Sequence, residues 1–269
     1  MDFLQLKNKK VLVFGVFNKK SIAYYAAKVL IEEGAKVILS VKDETTKKNL
    51  TDLFPDTDIF VCNIENQNEI EKLSTDVSSL HGKLDGMLHS IAFADFSEGF
   101  KPFHETKKEH FLQAINISCF SLINISKIFK DIFAKDASVV TLSVPFTRIA
   151  VENYSYMAPV KAALESSVVY LAKSFSRFSH IRFNALCLGL LKTSAAAGLP
   201  KYTKYYLFAE RITLRKKALD TTEVAHIIAF MLSNKSSAIN AQSIIADAGL
   251  SVNYFDEEVV DAVEKNLFP

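Results

Sequence analysis

The 269 residues are 49% hydrophobic and 23% charged, with 32 Lys and Arg against 30 Asp and Glu, a formal net charge of +2. That balance describes a well-filled soluble core without a strong field, and no basic run is interleaved with aromatic residues, which argues against a nucleic-acid partner. The start, MDFLQLKNKK, lacks the apolar core of a signal peptide, and the apolar runs fall short of the roughly 20 residues that span a bilayer. The expectation is a cytoplasmic protein with no membrane span. Cys62, Cys119 and Cys187 are scattered in apolar surroundings and read as buried free thiols rather than a metal site. Eight glycines are under half the average usage of about 7%, so some turns must be built from bulkier residues.

Lys10–Gly15 (KVLVFG) reads as a buried strand, followed by a helix from about Ser21 to Glu33 that stops at Gly34. Lys36–Val41 and Asp58–Asn63 are further strands, Asn66–Leu80 an amphipathic helix, and Leu84–Ile91 a fourth strand. Helical periodicity covers Lys107–Phe133, SVVTL at Ser138–Leu142 is strand-like, and Ala158–Phe178 is a long amphipathic helix. Ile181–Leu188 is another strand. After an irregular stretch come the helix Thr222–Leu232 and a last strand, Ser243–Ala246. Short apolar runs alternating with amphipathic helices predict one α/β domain over residues 1–269: a single doubly wound parallel β-sheet with helices on both faces, Rossmann-like.

Ligands of such a sheet bind beyond the carboxyl ends of its strands. That rule singles out Gly15, Lys42, Asn63, Ser90, Ile91, Ser143 and Gly189, and places Tyr154 and Lys161 of NYSYMAPVKAAL at the same edge. A phenol and an ammonium can act together on a carbonyl: the hydroxyl donates a hydrogen bond to the oxygen, and the cation steadies the charge that builds there. Pro159 lacks an N–H and suits only a first helical turn, so the helix is expected to begin close to Ala158. His89 follows apolar strand residues with no serine nucleophile arranged around it, and reads as a satisfied core histidine.

Taken in order, GVFNKKSIAYYAA, LHSIAFA, TLS, the Tyr-x6-Lys pair, LGLLKTSAAAG and the closing ADAG resemble the short-chain dehydrogenase/reductase superfamily. The resemblance covers almost the whole chain. The commoner members carry Tyr-x3-Lys; here the residue four before Lys161 is Met157, and the six-residue gap resembles the bacterial enoyl-acyl-carrier-protein reductases. The resemblance implies reduction of a trans-2-enoyl thioester by hydride from NADH or NADPH in fatty-acid synthesis. Tyr154 would hold the enolate oxygen and Lys161 would bind the nicotinamide ribose.

The same resemblance implies a cofactor site. Gly15 would turn the chain toward the pyrophosphate, and Ser21 and Ile22 would open the helix whose N–H groups face the phosphates, Ser21 being suited to cap it. Lys42 lies where the adenosine ribose is expected and could pair with a 2′-phosphate, a slight lean to NADPH; a solvated loop lysine is the alternative. Asn63 stands where the family places an aspartate beside adenine, followed by Ile64. Ser90 and Ile91 would run past the ribose, and Leu191 and Thr193 would reach the carboxamide or phosphates. Asn116 resembles the residue that supports the lysine in many members, or is a plain core Asn.

Segment 194–217 is expected to form a mobile wall of the acyl pocket, and Lys201, Lys204, Arg215, Lys216 and Lys217 suit an acidic carrier protein or are solvated surface lysines. A homotetramer is implied, with apolar Val168, Val169, Leu171 and Phe175 too many for one narrow stripe. Departures cluster on the cofactor side. The family's extra tyrosine, ten residues before Tyr154, is Val144; Phe17 and Tyr25 replace small residues, Ala92 a glycine and Leu190 a proline. Two other readings stay open: a reductase of another carbonyl or enone, and a catalytically silent nucleotide-binding paralogue.

Overall fold

The computed structural model describes residues 2–99, 101–151, 154–193 and 202–267. Its strands are β1 (Lys10–Phe14), β2 (Lys36–Val41), β3 (Asp58–Val61), β4 (Leu84–His89), β5 (Phe133–Ser143), β6 (Arg182–Leu188) and β7 (Ser243–Ala246). They form one sheet in the order β3-β2-β1-β4-β5-β6-β7, with every pairing parallel. Alternate side chains of β1 leave on opposite faces: Leu12 and Phe14 enter one core, Val11 and Val13 the other. Burial on both faces is why this strand reads as an unbroken apolar run.

Helices α1 (Ile22–Glu32) and α2 (Glu44–Thr51) follow β1 and β2, and α3 (Gln67–His81) follows β3. The helical run expected over Lys107–Phe133 is three pieces: α4 (Lys108–Ile115), a π-turn at Asn116–Phe120, and α5 (Ser121–Phe129). The run ends four residues early because Phe133 pairs with Leu84 and starts β5. That strand is longer than its apolar signature because Lys135 and Asp136 are exposed within it. As a continuous helix, residues 108–129 are long and apolar enough by length and composition to cross a membrane. Asn116, Ser118, Ser121 and Asn124 interrupt its apolar residues. Its Ala114, Ile117, Leu122, Ile125 and Phe129 are buried, and it serves as a core helix of the sheet.

Helix α6 (Met157–Phe175) begins one residue before Ala158, with Pro159 as its third residue, in the first turn where its missing N–H is tolerated. Helix α7 (Tyr202–Ile212) lies inside the stretch expected to be irregular. Residues 194–201 of the 194–217 wall are outside the described residues. Helix α8 (Thr221–Leu232) opens with a capping box from Asp220 and Glu223, and the unanticipated α9 (Glu257–Leu267) follows β7. Its hydrophobic pattern is carried by only a few valines among charges, which is why no run marks it in the sequence.

Candidate active site

The strand order reverses between β1 and β4: chain progress from β1 runs outward through β2 to β3, then returns to β4 on the other side. A crevice beyond the carboxyl ends of the strands is expected at such a point. Gly15 ends β1 there, at φ +89°, and a Cβ on it would stand 1.9 Å from the Ser90 carbonyl oxygen. Only a residue without a side chain lets these two strand ends approach so closely. Ile91 and Ile64 pack against the core below, so what they offer at the edge is backbone.

Ser21 occupies the N-cap position of α1 with extended backbone, but its side chain makes no cap bond. This corrects the expected capping role. The loop curls so that the Ser21 hydroxyl donates to the Asn18 carbonyl at 2.8 Å and accepts from the Phe17 N–H at 3.4 Å. The first turn of α1, including Ile22, therefore meets the crevice without a side-chain cap, which fits an anionic phosphate group at a helix N-terminus. The bulky Phe17 is accommodated by pointing outward, at 61% exposure. Lys42 is exposed just past β2, while Asp43 is committed to capping α2 by accepting from the Thr46 N–H at 2.7 Å. Asn63 is half-buried past β3; its N–H donates to the Glu69 carboxylate, and its amide oxygen accepts from the Glu65 N–H at 3.2 Å. These residues fit a dinucleotide laid across the carboxyl edge.

Tyr154 and Lys161 lie beyond the end of β5. Ser155 between the two tyrosines adopts φ +44°, a left-handed conformation uncommon for a residue with a side chain. The kink separates their fates. Tyr156 is buried, its hydroxyl donating to the Asp95 carbonyl at 2.8 Å and its ring packed on Phe96 and Phe111. Tyr154 stays half-buried, and burial holds its phenol well above the usual range, so it is a proton-bearing donor at any working pH. Lys161 is buried, its Nζ donates to the Leu142 carbonyl at 2.8 Å, and burial brings its pKa down to about 8.

Sequence reasoning missed Ser118 and Tyr202, whereas His89 is the satisfied core histidine it expected. Ser118, in the π-turn, clamps the loop after β4 by accepting from the Phe93 N–H at 2.9 Å and donating to the Phe93 carbonyl. His89 is fully buried with both ring nitrogens on hydroxyls, those of Thr141 and Ser121, and burial brings its pKa down to about 3. Asn116 opens the π-turn but is exposed, so it is no core asparagine. Tyr202, on α7, donates to the Leu191 carbonyl at 2.6 Å, and burial pushes its phenol up to about 12. The Thr193 N–H also returns to the Leu191 carbonyl. Nothing in the sequence connects Tyr202 to Leu191, because the contact crosses a segment without a recognisable pattern.

A sequence profile described as enoyl-(acyl carrier protein) reductase matches residues 15–251. The chain belongs to the enoyl-acyl-carrier-protein reductase family. It is 32% identical to the NADPH enoyl-acyl-carrier-protein reductase FabI of Staphylococcus aureus, over 91% of this chain and 98% of that protein. It is also 32% identical to the NADH enzyme FabI of Enterococcus faecalis over the same shares. Among solved structures, the NADH enoyl-acyl-carrier-protein reductase of Aquifex aeolicus superposes with a TM-score of 0.88 at 28% identity, covering 93% of this chain and 99% of that one.

Within the enoyl reductase family, the departures noted in the sequence find places in the fold. Val144 lies one residue past β5 and half-buried, and Tyr25 packs edge-on to Tyr24 against the core. The basic character expected around 201–217 is smaller than the sequence suggests. Arg215 makes two hydrogen bonds to the Glu223 carboxylate, and Lys216 pairs with Asp256 and Glu258. Helices α8 and α9 bring these acids in from later in the chain. Lys204 and Lys217 are exposed, and Lys201 lies outside the described residues.

Proposed function

We propose that this protein reduces trans-2-enoyl thioesters carried on acyl-carrier protein, using NADH or NADPH, in cytoplasmic fatty-acid synthesis. The reading is supported by a half-buried Tyr154 and a buried Lys161 beyond the end of β5, and by the close approach of Gly15 to Ser90 at the carboxyl edge. Bound NADH or NADPH would supply the hydride that goes to the β-carbon. Gly15, Ser21, Ile22, Lys42, Asn63, Ile64, Ser90, Ile91, Leu191 and Thr193 would hold the cofactor along the edge. Tyr154 donates its hydroxyl hydrogen bond to the thioester oxygen as negative charge develops there, and the Lys161 ammonium binds the nicotinamide ribose and lowers the cost of that charge. Helix α7, with Tyr202 and the buried Tyr206, forms part of the acyl-pocket wall within segment 194–217. Exposed Lys204 and Lys217 face the acidic carrier. Oxidation of NADH and of NADPH, followed in parallel with a crotonyl or longer enoyl thioester, tests this reading. Activity on simple enones with none on enoyl thioesters would replace the substrate, and cofactor binding without turnover on either would replace the enzyme by a silent paralogue.

Cofactor preference rests on Lys42. Asp43 is engaged as a helix cap, which leaves the ammonium as the charge presented at the ribose position. A single charged hydrogen bond contributes roughly 1.5–3 kcal/mol, and exposure places Lys42 at the lower end, about ten-fold in affinity. The Lys42→Ala variant is expected to lose about ten-fold in NADPH affinity and none in NADH affinity, read by cofactor fluorescence titration. An unchanged ratio removes Lys42 from the site.

The assembly proposed is a homotetramer. Of the four residues invoked from the sequence, Val168, Leu171 and Phe175 are buried against the protein's own core, so that part of the reasoning is corrected. What remains apolar and exposed on the same helices is Leu112 and Phe120 on the 108–129 helix, with Val169 and Tyr170 on α6. Pairing across two-fold axes would cover them. Light scattering at micromolar concentration is expected to give four times the 30.0 kDa chain mass; a monomer contradicts it.

A further inference from the structure

Lys161 is not held alone. One helical turn along α6 stands Glu165, and its carboxylate Oε1 accepts a 2.6 Å hydrogen bond from the Ser143 hydroxyl. Ser143 is the last residue of β5 and directly follows Leu142, whose carbonyl accepts the Lys161 ammonium at 2.8 Å. Ser143 is also paired in register with Cys187 of β6, so the strand ends carry a compact polar cluster behind the lysine. Ser143, Lys161 and Cys187 are each less than 5% exposed.

A buried ammonium on a neutral carbonyl is costly unless a countercharge stands near it. Among the described residues, the titratable groups facing Lys161 are the thiols of Cys119 and Cys187, the His89 imidazole and the Glu165 carboxylate. Burial pushes the Cys187 thiol up to about 12 and raises that of Cys119, so both are neutral; His89, at about 3, is neutral as well. Glu165 is the one carboxylate of the set.

We propose that Glu165, steered by the Ser143 hydroxyl, is a positioning residue that keeps Lys161 charged and aimed along the β5 edge. The proposal rests on the reductase reading for its kinetic consequence, but the charge pairing is a property of the protein alone. Burial is the largest influence on Lys161 and lowers its affinity for the proton; Cys119, Cys187 and then Glu165 act the other way, and of the three Glu165 is the carboxylate. The working form is the protonated one, present below pH about 8 and lost above it. Removing the carboxylate therefore moves the alkaline limb of the rate profile to lower pH.

The experiment compares the unmodified protein with Glu165→Gln, Glu165→Asp and Ser143→Ala. In enoyl thioester reduction, the ratio of kcat/KM at pH 8.5 to that at pH 6.5 is expected to fall about three- to ten-fold in Glu165→Gln. A smaller fall is expected in Ser143→Ala, and partial recovery in Glu165→Asp. In parallel, the Lys161 Cε resonance of cofactor-free protein, assigned by its loss in Lys161→Met, is followed by NMR through the same pH range. Its titration is expected to move to lower pH in Glu165→Gln and, less, in Ser143→Ala. A purely structural role for Glu165 would alter thermal stability and leave this titration where it was, and that result overturns the proposal. Should the unmodified protein reduce no enoyl thioester, the reductase reading falls and the Lys161 titration still decides the pairing. Should Glu165→Gln fail to fold, Ser143→Ala decides it.

Discussion

Replacing Tyr154 by Phe is expected to lower kcat for enoyl thioester reduction by about 10²- to 10³-fold, with NADH affinity changed less than about two-fold. The substitution removes one hydroxyl and keeps the ring, so the packing of the half-buried side chain survives. What is lost is the donor aimed at the oxygen where charge develops, in a site where burial makes each hydrogen bond count for more than in water. Burial keeps the Tyr154 phenol protonated across the accessible pH range, so its loss cannot be offset by changing pH. Tyr156→Phe is the internal control. Its hydroxyl is spent on the Asp95 carbonyl, and removing it costs about 1 kcal/mol of stability with little effect on turnover. Steady-state kinetics and chemical denaturation of the two variants side by side check both effects; the reverse ranking of kcat would mean that the wrong tyrosine has been assigned.

Gly15→Ala is expected to cost roughly 2–5 kcal/mol of stability and to abolish measurable cofactor binding. Two penalties coincide. A backbone at φ +89° disfavours any residue with a Cβ, and the added carbon would lie 1.9 Å from the Ser90 carbonyl oxygen. That neighbour is main chain, which cannot rotate away as a side chain would. Relief requires the ends of β1 and β4 to separate, and the separation falls at the switch point where the pyrophosphate is expected. A midpoint shift in urea unfolding together with loss of NADH binding by calorimetry is the predicted outcome. A variant as stable as the parent, with the cofactor still bound, would show that the strand ends are not held together as described.

Much of the architecture is legible in the sequence because burial on both faces leaves its mark on composition. Val11–Phe14 and Ser138–Leu142 are apolar runs because each sits inside a sheet covered on two sides. The Tyr-x6-Lys spacing and the chain order of strand-end residues likewise point to one edge without any coordinates. Elements carried by few apolar contacts were not legible. Helix α7 lies in a stretch with no clear periodicity, and the last residues hold α9 among many charges.

The sequence by itself determined the doubly wound class, since local periodicity and strand order are written in neighbouring residues, and its motifs carried the resemblance to the family. Tertiary structure alone decided which groups are spent and which are available. Ser21 gives its hydroxyl to Asn18 rather than to the helix, and Arg215 and Lys216 are neutralised by acids from later helices. Val168, Leu171 and Phe175 face the protein's own core, and Glu165 reaches Ser143 behind the lysine. Each of these depends on the directions of side chains from elements distant in sequence, and the pairing of charges or hydroxyls across such distances leaves no pattern along the chain.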